Sequence, residues 1–195
     1  MRYRNCIVSA LLTLLWASTA FAADRYELDP VHTRIGFTAR HLMINNVAGR
    51  FMDFTGNILY DEQDITKSAV SVKIQAASVN TENKMRDDDL RSPNFFDVAK
   101  FPEITFQSSR IEKQGDGYVC VGTLTMHGVP KEVSVPFAIL GKIKDPWGNT
   151  RIGLEAGLKI DRRDWSLTYS KTLDNGGLIV GNDIKIDLNV EAVKK

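Results

Sequence analysis

From residue 24 onward, apolar and polar side chains alternate one for one along most of the chain. Thr33, Ile35, Phe37 and Ala39 fall on one face of an extended segment, with Arg34, Gly36, Thr38 and Arg40 on the other. That spacing belongs to a β-strand with one buried face. It recurs in Val70, Val72, Ile74 and Ala76, in residues 104–111 and 118–126, and in Val133, Val135, Phe137 and Ile139. It returns in Ile152, Leu154, Ala156, Leu158 and Ile160, and again in Ile184, Ile186, Leu188 and Val190. A short strand is expected around residues 25–28, and another over 50–61 after a turn at 44–49. Several of these segments reach about ten residues, beyond the usual five or six, and strands of that length twist and coil. An all-β fold closed into an antiparallel barrel follows, because closure removes the edges that such apolar strands would expose. A two-sheet sandwich is the structural alternative.

One stretch breaks the alternation. Residues 81–91 carry charges at nearly every position, among them Arg86, Asp87, Asp88 and Asp89, which are expected to face outward or pair. Ser92-Pro93 then reads as an N-cap followed by proline at the first helical position. One or two short helices are therefore expected here, packing Phe95, Phe96 and Phe101 against the barrel. Strand should exceed about 40% and helix stay under about 15% of the chain. The turn at Asp145-Pro146-Trp147-Gly148-Asn149 joins two of the strands.

The N-terminus changes the reading of where this domain begins. Arg2 and Arg4 precede an almost purely apolar run over residues 6–17, and Ala20-Phe21-Ala22 offers a small-x-small cleavage site. The run is shorter than the roughly 20 residues that span a bilayer. Residues 1–22 are thus expected to be a cleaved signal peptide, with 23–195 forming a single exported domain without a transmembrane anchor. Losing both arginines takes the formal charge from +1 to about −1, with both signs interspersed, which argues against a nucleic-acid partner. Cys120 is then the only cysteine left, so no internal disulfide forms. A small buried hydrophobe is its expected role, ahead of a redox-active or intermolecular thiol.

Linked motifs run through the whole mature chain: residues 26–33 (Tyr-Glu-Leu-Asp-Pro-Val-His-Thr), Arg40-His41-Leu42, Gly49-Arg50-Phe51 with Phe54 and Gly56, Arg86-Asp87 with Leu90, and Phe95-Phe96-Asp97. They continue through residues 101–106 (Phe-Pro-Glu-Ile-Thr-Phe), residues 122–129 (Gly-Thr-Leu-Thr-Met-His-Gly-Val), Asp145-Pro146-Trp147-Gly148 and Arg163-Asp164. In these the chain resembles the YceI family. The resemblance implies a lipocalin-like extended antiparallel β-barrel of about eight strands, located in the periplasm, that binds a polyisoprenoid or related lipid ligand in its interior, commonly as a homodimer. The chain departs from the family pattern at Pro130, where threonine is usual, and at Ser166, where glycine is usual. Pro130 is expected in a turn.

Catalysis requires convergent nucleophile, base, carboxylate or metal groups, and the sequence displays no such set. His32, His41 and His127 show no zinc-type spacing, and hydrogen-bonded structural roles are expected of them. No cofactor, metal or catalytic residue is assigned. Binding rests instead on alternation, because every second residue of a barrel strand points inward. Ile35, Phe37, Ala39, Phe54, Ile74, Phe106, Leu124, Val135, Phe137, Leu154 and Leu158 are the expected lumen residues. Arg40, His41, Arg162 and Arg163 are expected at the mouth, meeting a phosphate or quinone oxygen of the ligand. An apolar chain gains about 0.8 kcal/mol per buried CH₂, so release is a harder problem than affinity. Two other classes compete with a carrier: an enzyme acting on a lipid in the same pocket, which needs a polar trio in the lumen, and an interaction module, which needs a lumen filled by bulky side chains.

Overall fold

The alternating segments form eleven strands in the computed structural model, which describes residues 23–171 and 177–195. The expected signal peptide lies outside the described residues. In chain order the strands are β1 (Asp24–Leu28), β2 (Arg34–His41), β3 (Asn45–Phe51), β4 (Phe54–Tyr60), β5 (Ala69–Gln75), β6 (Val79–Asn80), β7 (Glu103–Gln114), β8 (Gly117–Met126), β9 (Val129–Lys144), β10 (Thr150–Asp161) and β11 (Val180–Lys194). Every pairing is antiparallel. Strand makes up 61% of the structure, and the single α-helix, α1 (Lys84–Arg91), spans 8 residues. No helix among the described residues is long and apolar enough to cross a membrane.

The eleven strands make a closed barrel of eight staves. β11 pairs with β1 at one end, Leu28 opposite Ala192, and with β2 further along, Ile35 opposite Leu188. β1 and β2 are therefore one stave, broken at residues 29–33. β4 pairs with β1 and β3 with β2, so these two form a second stave, broken at Met52 and Asp53. β5 and β6 form a third, interrupted by a 3-10 turn at Ala76–Ser78. The five staves β7 to β11 follow in sequence order, and β11 returns to the first. This is an up-and-down meander in which neighbours in sequence are neighbours in space.

Four local expectations are corrected. Residues 45–49 are strand, not turn: pairing with β2 supplies the ladder that their polar and glycine composition disguises. The turn is tighter and earlier, with Leu42 and Met43 at φ of 50° and 62°. Ser92 closes α1 where the sequence suggested that it opens a helix. Asn83 caps the N-terminus, accepting from the Arg86 amide at 3.1 Å, while the Ser92 amide donates to the Asp89 carbonyl at 3.0 Å. Pro93 then stops the helix. Pro130 sits inside β9 opposite Thr125, near the strand's start where proline is tolerated. The charged run is also less exterior than expected, since Asp87 is buried and accepts from the Thr81 amide at 2.8 Å and hydroxyl at 2.5 Å.

On the outer face, Arg151 of β10 ties together elements far apart in sequence. Its Nε donates to Asp145 at 2.7 Å, and its Nη1 to Asp29 at 2.7 Å and Glu191 at 2.5 Å. Asp145 heads the β9–β10 turn and accepts from the Trp147 and Asn149 amides, while Asp29 heads the break between β1 and β2 and accepts from the Val31 amide and His32. Both turns are thus folded over one guanidinium at the seam where the barrel closes. Hydrogen bonds from Arg151, then Asn149 and Trp147, lower the Asp145 carboxyl to about 2 against the cost of burial. For Asp29 burial opposes ionisation, but bonds from His32, Arg151 and Val31 outweigh it and hold the carboxyl well below the usual range.

Both carboxyls are depressed in the folded state, so the stability they contribute is complete above the unfolded value of roughly 4 and is lost as pH falls through the folded one. Thermal unfolding followed by circular dichroism is expected to show a melting temperature that is flat from pH 7 to about 5 and falls steeply between about 4 and 2. Arg151→Ala should lower it at pH 7 and flatten the acid limb, whereas Arg110→Ala, at an exposed ion pair, should do neither.

Candidate functional site

The barrel encloses a cavity of about 280 Å³ whose wall draws side chains from all eight staves. Ile35, Phe37 and Ala39 enter from β2, Ile74 from β5, Phe106 from β7 and Leu124 from β8. Val135 and Phe137 enter from β9, and Leu154 and Leu158 from β10. Phe54 is buried but stands outside this lining; it packs with Phe51, Ile74 and Ile104 in the main core cluster. Residues the alternation did not single out also reach the cavity, notably Leu90, Phe95 and Phe96 from α1 and the segment after it, and Leu167 from beyond β10. These come from non-strand segments, so period two carries no signal for them.

Two glycines shape the wall. A Cβ at Gly49 would lie 2.4 Å from the Phe37 ring, and one at Gly122 would lie 2.6 Å from the Phe106 ring. The tip of each phenyl ring therefore rests over bare backbone, and any larger residue there would displace it. Toward the chain termini the interior is filled by a second cluster, Tyr26, Ile58, Tyr60, Ile152 and Ala192, with Tyr26 and Tyr60 edge to face at 5.9 Å. At the other end Phe96 meets Phe51 at 5.7 Å, and Phe95 meets Tyr169 at 5.3 Å. Trp165 is anchored there by its indole N–H, 3.0 Å from the Leu124 carbonyl.

The four residues expected at the mouth separate. Arg40 is exposed and borders a groove on the outer surface, where Arg163 also lies, paired with Asp161. His41 is half-buried at the end of β2, opposite Val180 and Asn45. None of these three lines the cavity. Arg162 does, and it is only 3% exposed. Its Nε donates to the Gly181 carbonyl at 3.1 Å, its Nη1 to the Leu167 carbonyl, and its Nη2 to the Val180 carbonyl and Asn182 Oδ1 at 3.3 and 3.2 Å. Burial pulls its pKa down from the ordinary guanidinium value, yet an arginine in this setting remains charged. The signal was present in the sequence, because Arg162 continues the inward series Leu158, Ile160 by one more step of two.

Other reactive groups have structural explanations. Cys120 is 5% exposed, packs with Ile111 and Val135, and borders the cavity; burial pushes its thiol up to about 11. Ligating atoms of Asp29, His32 and Glu191 lie within 4.8 Å of one another, but both carboxylates are ion-paired to Arg151. His127 packs on Phe101 at 4.5 Å with its Nδ1 buried and without a hydrogen-bond partner among the described residues.

Fold and cavity together define a lipocalin-like barrel with an apolar interior. The model of the YceI-like domain matches residues 26–192, and the chain belongs to that family. A UPF0312 protein of Serratia proteamaculans is 39% identical over 183 residues, covering 93% of this chain and 92% of that protein. The crystal structure of the Campylobacter jejuni YCEI protein superposes with a TM-score of 0.70 at 35% identity, covering 80% of this chain and 89% of that one. A polyisoprenoid binding domain from Saccharophagus degradans gives 0.65 at 17% identity, covering 87% and 98%, a likeness of fold.

Two outcomes follow from the packing. A polar maleimide is expected to label Cys120 slowly in the native protein and rapidly once it is unfolded, as mass spectrometry over time would show. Ser166 adopts φ of 60°, a left-handed conformation that favours glycine. Ser166→Gly should relieve that strain and raise stability by about 1 kcal/mol, measured by urea denaturation.

Proposed function

We propose that the protein is a lipid carrier of the periplasm, exported by cleavage of residues 1–22, which holds a polyisoprenoid or similar long-chain amphiphile in the barrel lumen and acts as a homodimer. The observation that carries this reading is the cavity. Its volume of about 280 Å³ lies just under the roughly 300–1,000 Å³ of ligand clefts, and its lining side chains are apolar apart from Cys120 and Arg162. A bulk-filled interior would favour an interaction module, and a polar trio would favour an enzyme; the lining described here has neither character. The relative from Saccharophagus degradans, described as polyisoprenoid binding, supports the same ligand class. A long chain needs more room than the cavity offers at rest.

A charge on the inward face tests the site directly. Phe37→Asp or Leu154→Asp places a carboxylate against apolar wall at a cost of several kcal/mol. Either should reduce the lipid recovered by organic extraction and mass spectrometry at least about tenfold. Thr38→Asp, one residue along on the outer face, should leave the lipid in place. Equal retention in folded inward and outward variants would exclude the lumen as the binding site.

A further inference from the structure

Among the described residues the cavity wall carries one guanidinium, that of Arg162, and the carboxylate of its neighbour Asp161 attracts it only through space. Arg162 touches the lumen, but its four hydrogen bonds all go to neutral acceptors: three backbone carbonyls and the side-chain oxygen of Asn182. Among the described residues no carboxylate forms an ion pair with it. Its sequence neighbour Asp161 turns outward and grips Arg163 instead, with Nε 3.0 Å from each carboxylate oxygen. Among the described residues of the lining the only other ionisable group is the Cys120 thiol, which stays protonated at neutral pH. The described lining is therefore an apolar chamber with one buried guanidinium, held by neutral acceptors, at the end near Leu167 and Val180.

A buried cation solvated only by carbonyls is costly to maintain, and a matching anion brought in by a ligand offsets much of that cost. Resting on the carrier reading above, we propose that the natural ligand is a single-chain amphiphile whose head is a compact monoanion, a carboxylate, seated against Arg162 with its tail along the Phe37 and Leu154 walls. The charge count selects the head. A neutral alcohol or ester leaves the guanidinium uncompensated, and a phosphate monoester, at roughly −1.5 to −2 near neutral pH, brings an excess negative charge into a space with no second cation. Size argues the same way, because a carboxylate oxygen can take the one Arg162 N–H that its four hydrogen bonds leave over, and a carboxylate occupies less of a small cavity than a tetrahedral phosphate.

The test is displacement of a neutral fluorescent dye, N-phenyl-1-naphthylamine, from the delipidated protein by four twelve-carbon competitors: dodecanoate, its methyl ester, dodecanol and dodecyl phosphate. Dodecanoate should compete at concentrations at least about tenfold lower than the other three at pH 7.5. Its advantage should vanish as pH drops below the carboxylic acid's own pKa of roughly 4 to 5. In Arg162→Met, which keeps the bulk and removes the charge, the four should converge to within about twofold, and Arg162→Lys should restore part of the preference. If the methionine variant does not fold, the ligand series and its pH dependence on the unaltered protein still decide the matter. Equal competition by all four, or a lead for dodecyl phosphate, overturns the carboxylate assignment while leaving the carrier reading intact. Failure of the dye itself to bind overturns the carrier reading instead.

Discussion

Closure of the sheet is the constraint on which the rest depends. β11 is long enough to hold β10 on one side and both halves of the first stave on the other, so the sheet closes on itself and acquires an inside, with one-sided pairing left only locally, as at β6 and residues 45–49. Once there is an inside, strict alternation assigns half of each strand to it, and the interior composition follows from the sequence position by position. The Arg151 cluster stands at this seam. It fastens the two turns that would otherwise be the loosest parts of the join, and it does so on the outer face, where its charges do not compete with the apolar lumen.

Most of the wall was legible because it depends on local period alone. Ile35, Phe37 and Ala39 need no knowledge of their partners to be placed on one face, and the same holds for Leu154 and Leu158. What escaped depends on contacts remote in sequence. Residues 45–49 look like a loop until β2 supplies hydrogen bonds to them. Asp87 looks solvated until Thr81 receives it, and Ser92 looks like a helix start until Asn83 is seen to have taken that role. Phe54 has the right face but the wrong depth, because packing with Phe51 and Ile74 absorbs it before it reaches the cavity.

Arg162 shows a different kind of difficulty. Its inward position is written in the period-two series of β10, but a charge at a strand end is ordinarily solvated, and that expectation outweighs the pattern. Arg163, one residue on, obeys it. The two arginines thus share a sequence context and differ in everything that alternation controls: one lies in the open beside Asp161, the other is enclosed and held by carbonyls.

The three breaks in the staves have a consequence for how such a barrel tolerates change. All of them fall in the first half of the chain, at residues 29–33, 52–53 and 76–78, while β7 to β11 run as single strands with only local register shifts. In an unbroken strand, one inserted residue inverts every side chain beyond it and turns the oily face to water. At a joint the same insertion is absorbed by the turn, and the pieces on either side keep their facing. The barrel is therefore built from one half whose spelling is rigid and one half that is punctuated, and chain length is free to vary across the punctuation marks alone.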